Sequence, residues 1–160
     1  MVNSFDFVAP SGGYRATDLV NPGLHRWVLR LNHIGTWQPS PAWDISYRFH
    51  WDDNFNNAAT DYHSGQTLYL NWAVGWKPQR PLTVGLAGYS LRQITDDRHG
   101  GAIVHGDGNR ARVDGIGPCV KYFLPNHTML TAKYFRESGA RNHSEGDQFW
   151  FYVAIPLASP

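Results

Sequence analysis

Eight histidines are the most visible chemical resource of this 160-residue chain: His25, His33, His50, His63, His99, His105, His127 and His143. A zinc hydrolase needs two histidines one helical turn apart beside a glutamate, and no such spacing occurs. There is no Gly-x-Ser-x-Gly nucleophile turn and no glycine-rich phosphate loop. A barrel phospholipase would need a lipid-facing Ser-His pair; Ser90 with His33 could be imagined as one, but spacing gives it no support. Asp96, Asp97 and Asp107 flank one hydrophilic stretch and could offer oxygens to calcium, but not at the spacing of a calcium loop. The single Cys119 has no partner for an internal disulfide. The expectation is a protein without catalytic residues, cofactor or metal.

A second set of residues carries more information. Arg26, Arg30, Asp44, Arg48, His50, Lys121, Lys133 and Glu137 fall in segments that alternate between apolar and polar positions. If the apolar positions look outward, these eight side chains line a lumen. Charges of both signs in a narrow barrel should pair, because unpaired buried charge is costly. Such a face is either a polar pathway with a binding surface or a plug of salt bridges, and eight strands alone leave room only for side chains or one small ligand.

The elements that position them are strands. From Trp43 to Trp51 every odd residue is large and apolar (Trp43, Ile45, Tyr47, Phe49, Trp51), while Asp44, Ser46, Arg48, His50 and Asp52 are polar. Successive strand side chains point to opposite faces, so the segment has one greasy and one polar face. Similar runs bounded by Gly, Pro, Asn and Asp cover 2–9, 24–38, 42–52, 65–77, 82–96, 110–124, 128–138 and 147–157. In the run at 82–96 the apolar parity changes between Leu86 and Tyr89, which predicts a bulge near Gly88. Helical periodicity is nearly absent.

Connections alternate in length. Those at Pro39-Ser40-Pro41, 78–81 and Pro125-Asn126-His127 are short and proline-marked, whereas 53–64, 97–109 and 139–146 are long and hydrophilic. Short turns at one end and long loops at the other fit an up-and-down outer-membrane barrel with an even strand count. Trp37, Trp43, Trp76 and Tyr122 lie beside the short turns, and Trp51 and Tyr89 nearer the long loops, which predicts two aromatic girdles. The negative mean hydropathy is compatible with this, because half of each strand faces a polar lumen. No run of 18 apolar residues exists to form a transmembrane helix. A net charge of +1 gives no pull toward nucleic acid.

Several stretches carry a family resemblance. They are Asp18-Leu19-Val20-Asn21, 59–65, Gly88-Tyr89 with 92–97, Gly108 to Val113, Ile116-Gly117-Pro118, Lys133-Tyr134, and Arg141 to Asp147 with Phe149-Trp150. Together they resemble the bacterial outer-membrane family of the "meta-pathway of phenol degradation". The resemblance implies an antiparallel transmembrane β-barrel in the bacterial outer membrane, passing small hydrophobic or aromatic compounds and linked to aromatic catabolism. Members are usually longer, with a leader and additional N-terminal strands. The chain opens Met1-Val2-Asn3-Ser4-Phe5-Asp6, without a basic and apolar leader. The expectation is one barrel domain over 1–160, as the C-terminal portion of a longer barrel or a shortened homologue. The alternative is a soluble or periplasmic eight-stranded barrel whose greasy faces point inward around an apolar ligand.

Overall fold

A computed structural model describes residues 1–18 and 20–157; Leu19, within the Asp18-to-Asn21 stretch, and residues 158–160 lie outside the described residues. The described residues form no helix. They form eleven strands: β1 (Val2–Val8), β2 (Val28–Ser40), β3 (Trp43–Asn54), β4 (Tyr62–His63), β5 (Thr67–Gln79), β6 (Leu82–Gln93), β7 (Arg98–His99), β8 (Ala102–Ile103), β9 (Arg112–Phe123), β10 (Met129–Arg141) and β11 (Asp147–Ala154). The eight long strands form one antiparallel sheet in the order β1-β2-β3-β5-β6-β9-β10-β11. Each pairs with its neighbour in sequence, the up-and-down order the runs predict. The ring does not close: β1 and β11 are the edges of the sheet and are not hydrogen-bonded to each other. The three short strands β4, β7 and β8 form a separate small sheet inside the long connections, where the alternation predicts no strand.

Period-two patterning assigns the faces. Trp43, Ile45, Tyr47, Phe49 and Trp51 of β3 pair with Trp76, Val74, Trp72, Leu70 and Leu68 of β5, so these ten side chains share one apolar face. Across the other strands that face continues through Phe5 and Phe7, Leu29 and Leu31, Val84 and Leu86, Ile116 and Val120, and Phe149, Phe151 and Val153. Every buried non-glycine side chain described in the long strands lies on the opposite, polar face: Val28, Asn32, His50, Asp52, Asn54, Thr83, Ala87, Leu91, Val113, Phe135 and Glu137. Among the described residues no second layer covers that face. Its burial comes from side chains that meet over intervening strands, as Tyr89 of β6 meets Glu137 of β10. The soluble alternative places the apolar face inside; in the sheet described here the buried side chains lie on the polar face.

The expected bulge near Gly88 is absent. The β5–β6 register runs unbroken from Thr67↔Gln93 to Trp76↔Val84, and β6–β9 from Leu82↔Tyr122 to Arg92↔Arg112. Tyr89 and Leu91 therefore stay on the polar face, where Leu91 is buried. Gly88 instead makes room for a ring. The indole of Trp72 lies across it, and a Cβ there would sit 2.6 Å from the ring. On the polar face Gly115 does the same for Tyr89, whose ring an added Cβ would strike. Register irregularities occur beside the short turns, at Trp37/Ser40 and Trp76/Gln79, and at Ser138/Arg141.

The long connections are tied together by one carboxylate. Asp97 is 5% exposed. Its Oδ1 accepts hydrogen bonds from the Gly65 amide at 2.8 Å and from Gln93 Nε2 at 2.7 Å. Its Oδ2 accepts one from Asn109 Nδ2 at 3.0 Å and one from the Tyr62 hydroxyl. The connections 55–66 and 94–111 thus share a buried centre, next to the sheet of β4, β7 and β8. Four donors satisfy an otherwise costly buried charge.

Gly88→Val should destabilise the protein by about 1–3 kcal/mol through overpacking. Most of that cost should vanish in a Trp72→Ala background, measured as a double-mutant cycle in urea unfolding. Asp97→Ala should leave four donors unpaired. By hydrogen exchange, the Gly65 amide and residues 98–109 should then open about tenfold faster or more, with the centres of β3 and β5 unchanged.

Candidate functional site

The polar face brings the expected lining residues onto one surface but pairs them unevenly. On β2 and β3, Arg30 Nε and Nη2 grip the two Asp52 oxygens at 2.7 Å each, a bidentate clamp across the strands. Arg48 donates Nε and Nη2 to Asn32 Oδ1 at 3.1 and 2.8 Å, and Asn32 donates Nδ2 to Asp6 Oδ2 at 2.9 Å. His50 stacks on Tyr69 with ring centroids 4.4 Å apart, and among the described residues its buried Nδ1 has no hydrogen-bond partner. Asp44 holds Lys77 Nζ at 3.2 Å near the short turns.

On β9 and β10 the expected pairing fails. Lys121 and Lys133 have no carboxylate within 4.0 Å among the described residues; Lys133 lies beside Cys119 in register, with its ammonium 5.8 Å from the Tyr152 ring centroid. Glu137 is held by no cation among the described residues. It accepts from Gln148 Nε2 at 2.7 Å and from the Tyr89 hydroxyl, which reaches over Gly115 of β9. Tyr89 also meets Phe135 edge-on at 5.2 Å. It therefore belongs to the polar face and not to an aromatic girdle. Asp52, Asn32, Asp6, Tyr69 and Tyr89 complete this face. Parity alone marks Asp52 and Tyr69, but the cross-strand partners need the register.

The apolar face is a band with a charged margin. Toward the long loops it gives way to Asp53, Ser90 and Arg92, Arg112 and Asp114, Arg136, and Asp147 on successive strands. Arg92 and Asp114 are bridged there at 2.6 Å. At the short-turn rim Trp43 and Trp76 sit opposite each other, both 44% exposed, with Trp37 and Tyr122 at the same end. At the long-loop rim Trp51 is joined by Trp27 and Phe55, linked through the Phe55 amide and the Trp27 carbonyl at 3.0 Å. One polar group interrupts the band. His33 is bonded to Tyr47 at 2.8 Å and to Asn3 at 2.7 Å. Ser90 lies on β6, with β3 and β5 between it and His33, so the two form no catalytic pair.

Above the sheet, Arg26 stands just before β2 and donates Nε to Asn54 Oδ1 at 3.1 Å. Burial pulls its guanidinium below the ordinary arginine value, opposed by the nearby Asp97 charge. Burial and the bond to Asp97 push the Tyr62 hydroxyl up. The carboxylates considered for calcium go separate ways. Asp96 pairs with Arg110 at 2.6 Å, Asp107 with Arg141 at 2.7 Å, and Asp97 is enclosed by its donors. The Arg141 bond holds Asp107 below the usual carboxylate range.

An uninterrupted antiparallel meander with a clamped polar face and an exposed apolar band can wall a polar passage through an apolar medium. No curated protein and no solved structure matches the chain. The family model described as "Putative MetA-pathway of phenol degradation" matches residues 2–153. That match runs from the first residue of β1 to the last but one of β11, and the chain belongs to this family, which links it to aromatic catabolism.

Proposed function

We propose that this chain forms the wall of a β-barrel in the bacterial outer membrane and lets small hydrophobic or aromatic compounds pass without energy input. The apolar band carries the reading. On β3 it spans Trp43 to Trp51, roughly 26 Å along the strand at about 3.3 Å per residue. With a tilt of about 40° that is a height of roughly 20 Å, close to the ~25 Å band of outer-membrane barrels. Aromatic residues stand at both rims, and charge begins at the upper one with Asp53, next to Trp51 on the same face. Phe151 at 77% exposed and Phe5 at 74% carry the exposed apolar face out to both edge strands, and extended apolar surface of this kind is rare on monomers in water.

In this reading the polar face is the lumen, and Arg30, Asp44, Arg48, His50, Lys121, Lys133 and Glu137 line it below Arg26. Further strands complete the unpaired edges at β1 and β11, since a bare edge has no partner in hydrocarbon. A wider ring favours a path over a plug. The clamped charges of β2 and β3 stiffen one side of the wall. Lys121 and Lys133 give the other side a positive surface, suited to compounds that carry an oxyanion.

The full chain refolded into vesicles should show tryptophan quenching by brominated lipids; a folded sample without quenching contradicts the membrane assignment. Phe49→Arg, near the middle of the band, should cost about 2–4 kcal/mol of folding stability, and Trp43→Arg at the rim about 0–1 kcal/mol. Equal costs would remove the depth gradient on which the orientation rests. Vesicles carrying the chain should release entrapped benzoate faster than empty vesicles, and equal rates would contradict passage.

A further inference from the structure

A cavity of about 750 Å³ opens among the long connections, apart from the polar face of the sheet. Three segments build it: Tyr14, Leu24 and Arg26 from before β2, Asn57 and Tyr62 from the β3–β5 connection, and His99 with residues 102–105 from the β6–β9 connection. Two aromatic pairs contribute to its walls. Tyr14 stacks on His25 at 4.8 Å and 15°, and Tyr62 leans on His99 at 6.4 Å and 37°. Leu24, Ile103 and Val104 add apolar surface. Arg26 is the lining cation. Among the described residues only its Nε is engaged, with Asn54, and its two Nη nitrogens have no hydrogen-bond acceptor. Asp97 lies near enough to act on Arg26, but its oxygens are taken by Gly65, Gln93, Asn109 and Tyr62.

A half-buried guanidinium with free donors, between flat rings and aliphatic side chains, selects for a flat ligand with a negative oxygen. A guanidinium binds a carboxylate or phenolate through parallel N–H donors, and aromatic walls favour a planar ring over a puckered one. The size suits a small molecule. We propose that this cavity is a binding site for a single-ring aromatic compound bearing an oxyanion, held by Arg26 through its oxygens and by Tyr14 and Tyr62 through its ring. The site lies in the loops, so it requires neither closure of the sheet nor a membrane, and it stands or falls separately from passage.

Calorimetric titration of the folded full chain with benzoate, cyclohexanecarboxylate and phenol tests the site. Benzoate should bind saturably at one site, cyclohexanecarboxylate several-fold more weakly, and phenol, neutral at pH 7, also more weakly. Arg26→Gln should weaken benzoate binding about tenfold or more while barely changing phenol binding. Thr60→Trp fills the cavity from a lining position and leaves the guanidinium in the chain, and should abolish binding of both. Circular dichroism confirms that each variant keeps its strands. Absence of saturable benzoate binding to the unaltered chain overturns the proposal. So does a folded Arg26→Gln variant, or a folded Thr60→Trp variant, that binds benzoate as the unaltered chain does.

Discussion

A single-layer sheet has no second layer to bury its side chains, and this constraint governs the rest of the molecule. Whatever is buried must be buried by neighbours on the same face, which requires curvature and side chains long enough to meet over intervening strands. Tyr89 is the clearest case. It leaves β6, passes over Gly115 of β9, and bonds Glu137 of β10. A side chain larger than hydrogen at position 115 would block that crossing. The apolar face has no such convergence. Its rings spread along the sheet, as Trp72 does over Gly88, and they stay exposed at both edges.

The same constraint explains how the polar face tolerates charge. Arg30 and Asp52 are directly opposed in register, so a bidentate clamp forms at no cost in backbone distortion. Asn32 acts as a relay, accepting from Arg48 and donating to Asp6, and so joins three strands through one amide. No equivalent relay reaches Lys121 and Lys133 among the described residues. Their register partners are Thr131 and Cys119 on the neighbouring strand, and neither is an acid. The face therefore has a neutralised arc over β1 to β3, whereas over β9 and β10 it carries two ammonium groups without a carboxylate partner among the described residues and one carboxylate, Glu137, held by neutral donors. That asymmetry is a property of the register, not of composition, because the chain as a whole carries a net charge of only +1.

Parity is enough to read the eight long strands, the segregation of their connections, and the shared face of the expected lining residues. Each depends only on a residue's own place in a period of two. Interactions between strands are not legible in that way. The parity change at Gly88 reads as a backbone irregularity only if a large apolar residue such as Leu91 must belong with the other apolar residues. In fact the polar face needs some apolar filling where it is most enclosed, and Leu91, Val113 and Phe135 supply it. The same assumption places Tyr89 on the apolar face, at the rim where Trp27 and Phe55 stand. The hydrogen bonds of Asp52, Asn32 and Asp6 depend on which residues lie opposite, and the small sheet of β4, β7 and β8 depends on contacts between two loops distant in sequence.

Those loops differ from the slack connections that their hydrophilic composition suggests. A buried aspartate with four donors is expensive to assemble and easy to disrupt, and such a centre persists only where its geometry is fully satisfied. Asp97 meets that condition by drawing donors from both connections and from the end of β6. Once it is in place, Tyr62 is fixed by its hydroxyl, and the two-residue strands β4 and β7 pair beside it, Tyr62 opposite His99. The aromatic wall of the loop cavity is thus set by a buried carboxylate that lines no part of it. The long connections form an ordered cavity because the buried charge that holds them is chemically complete.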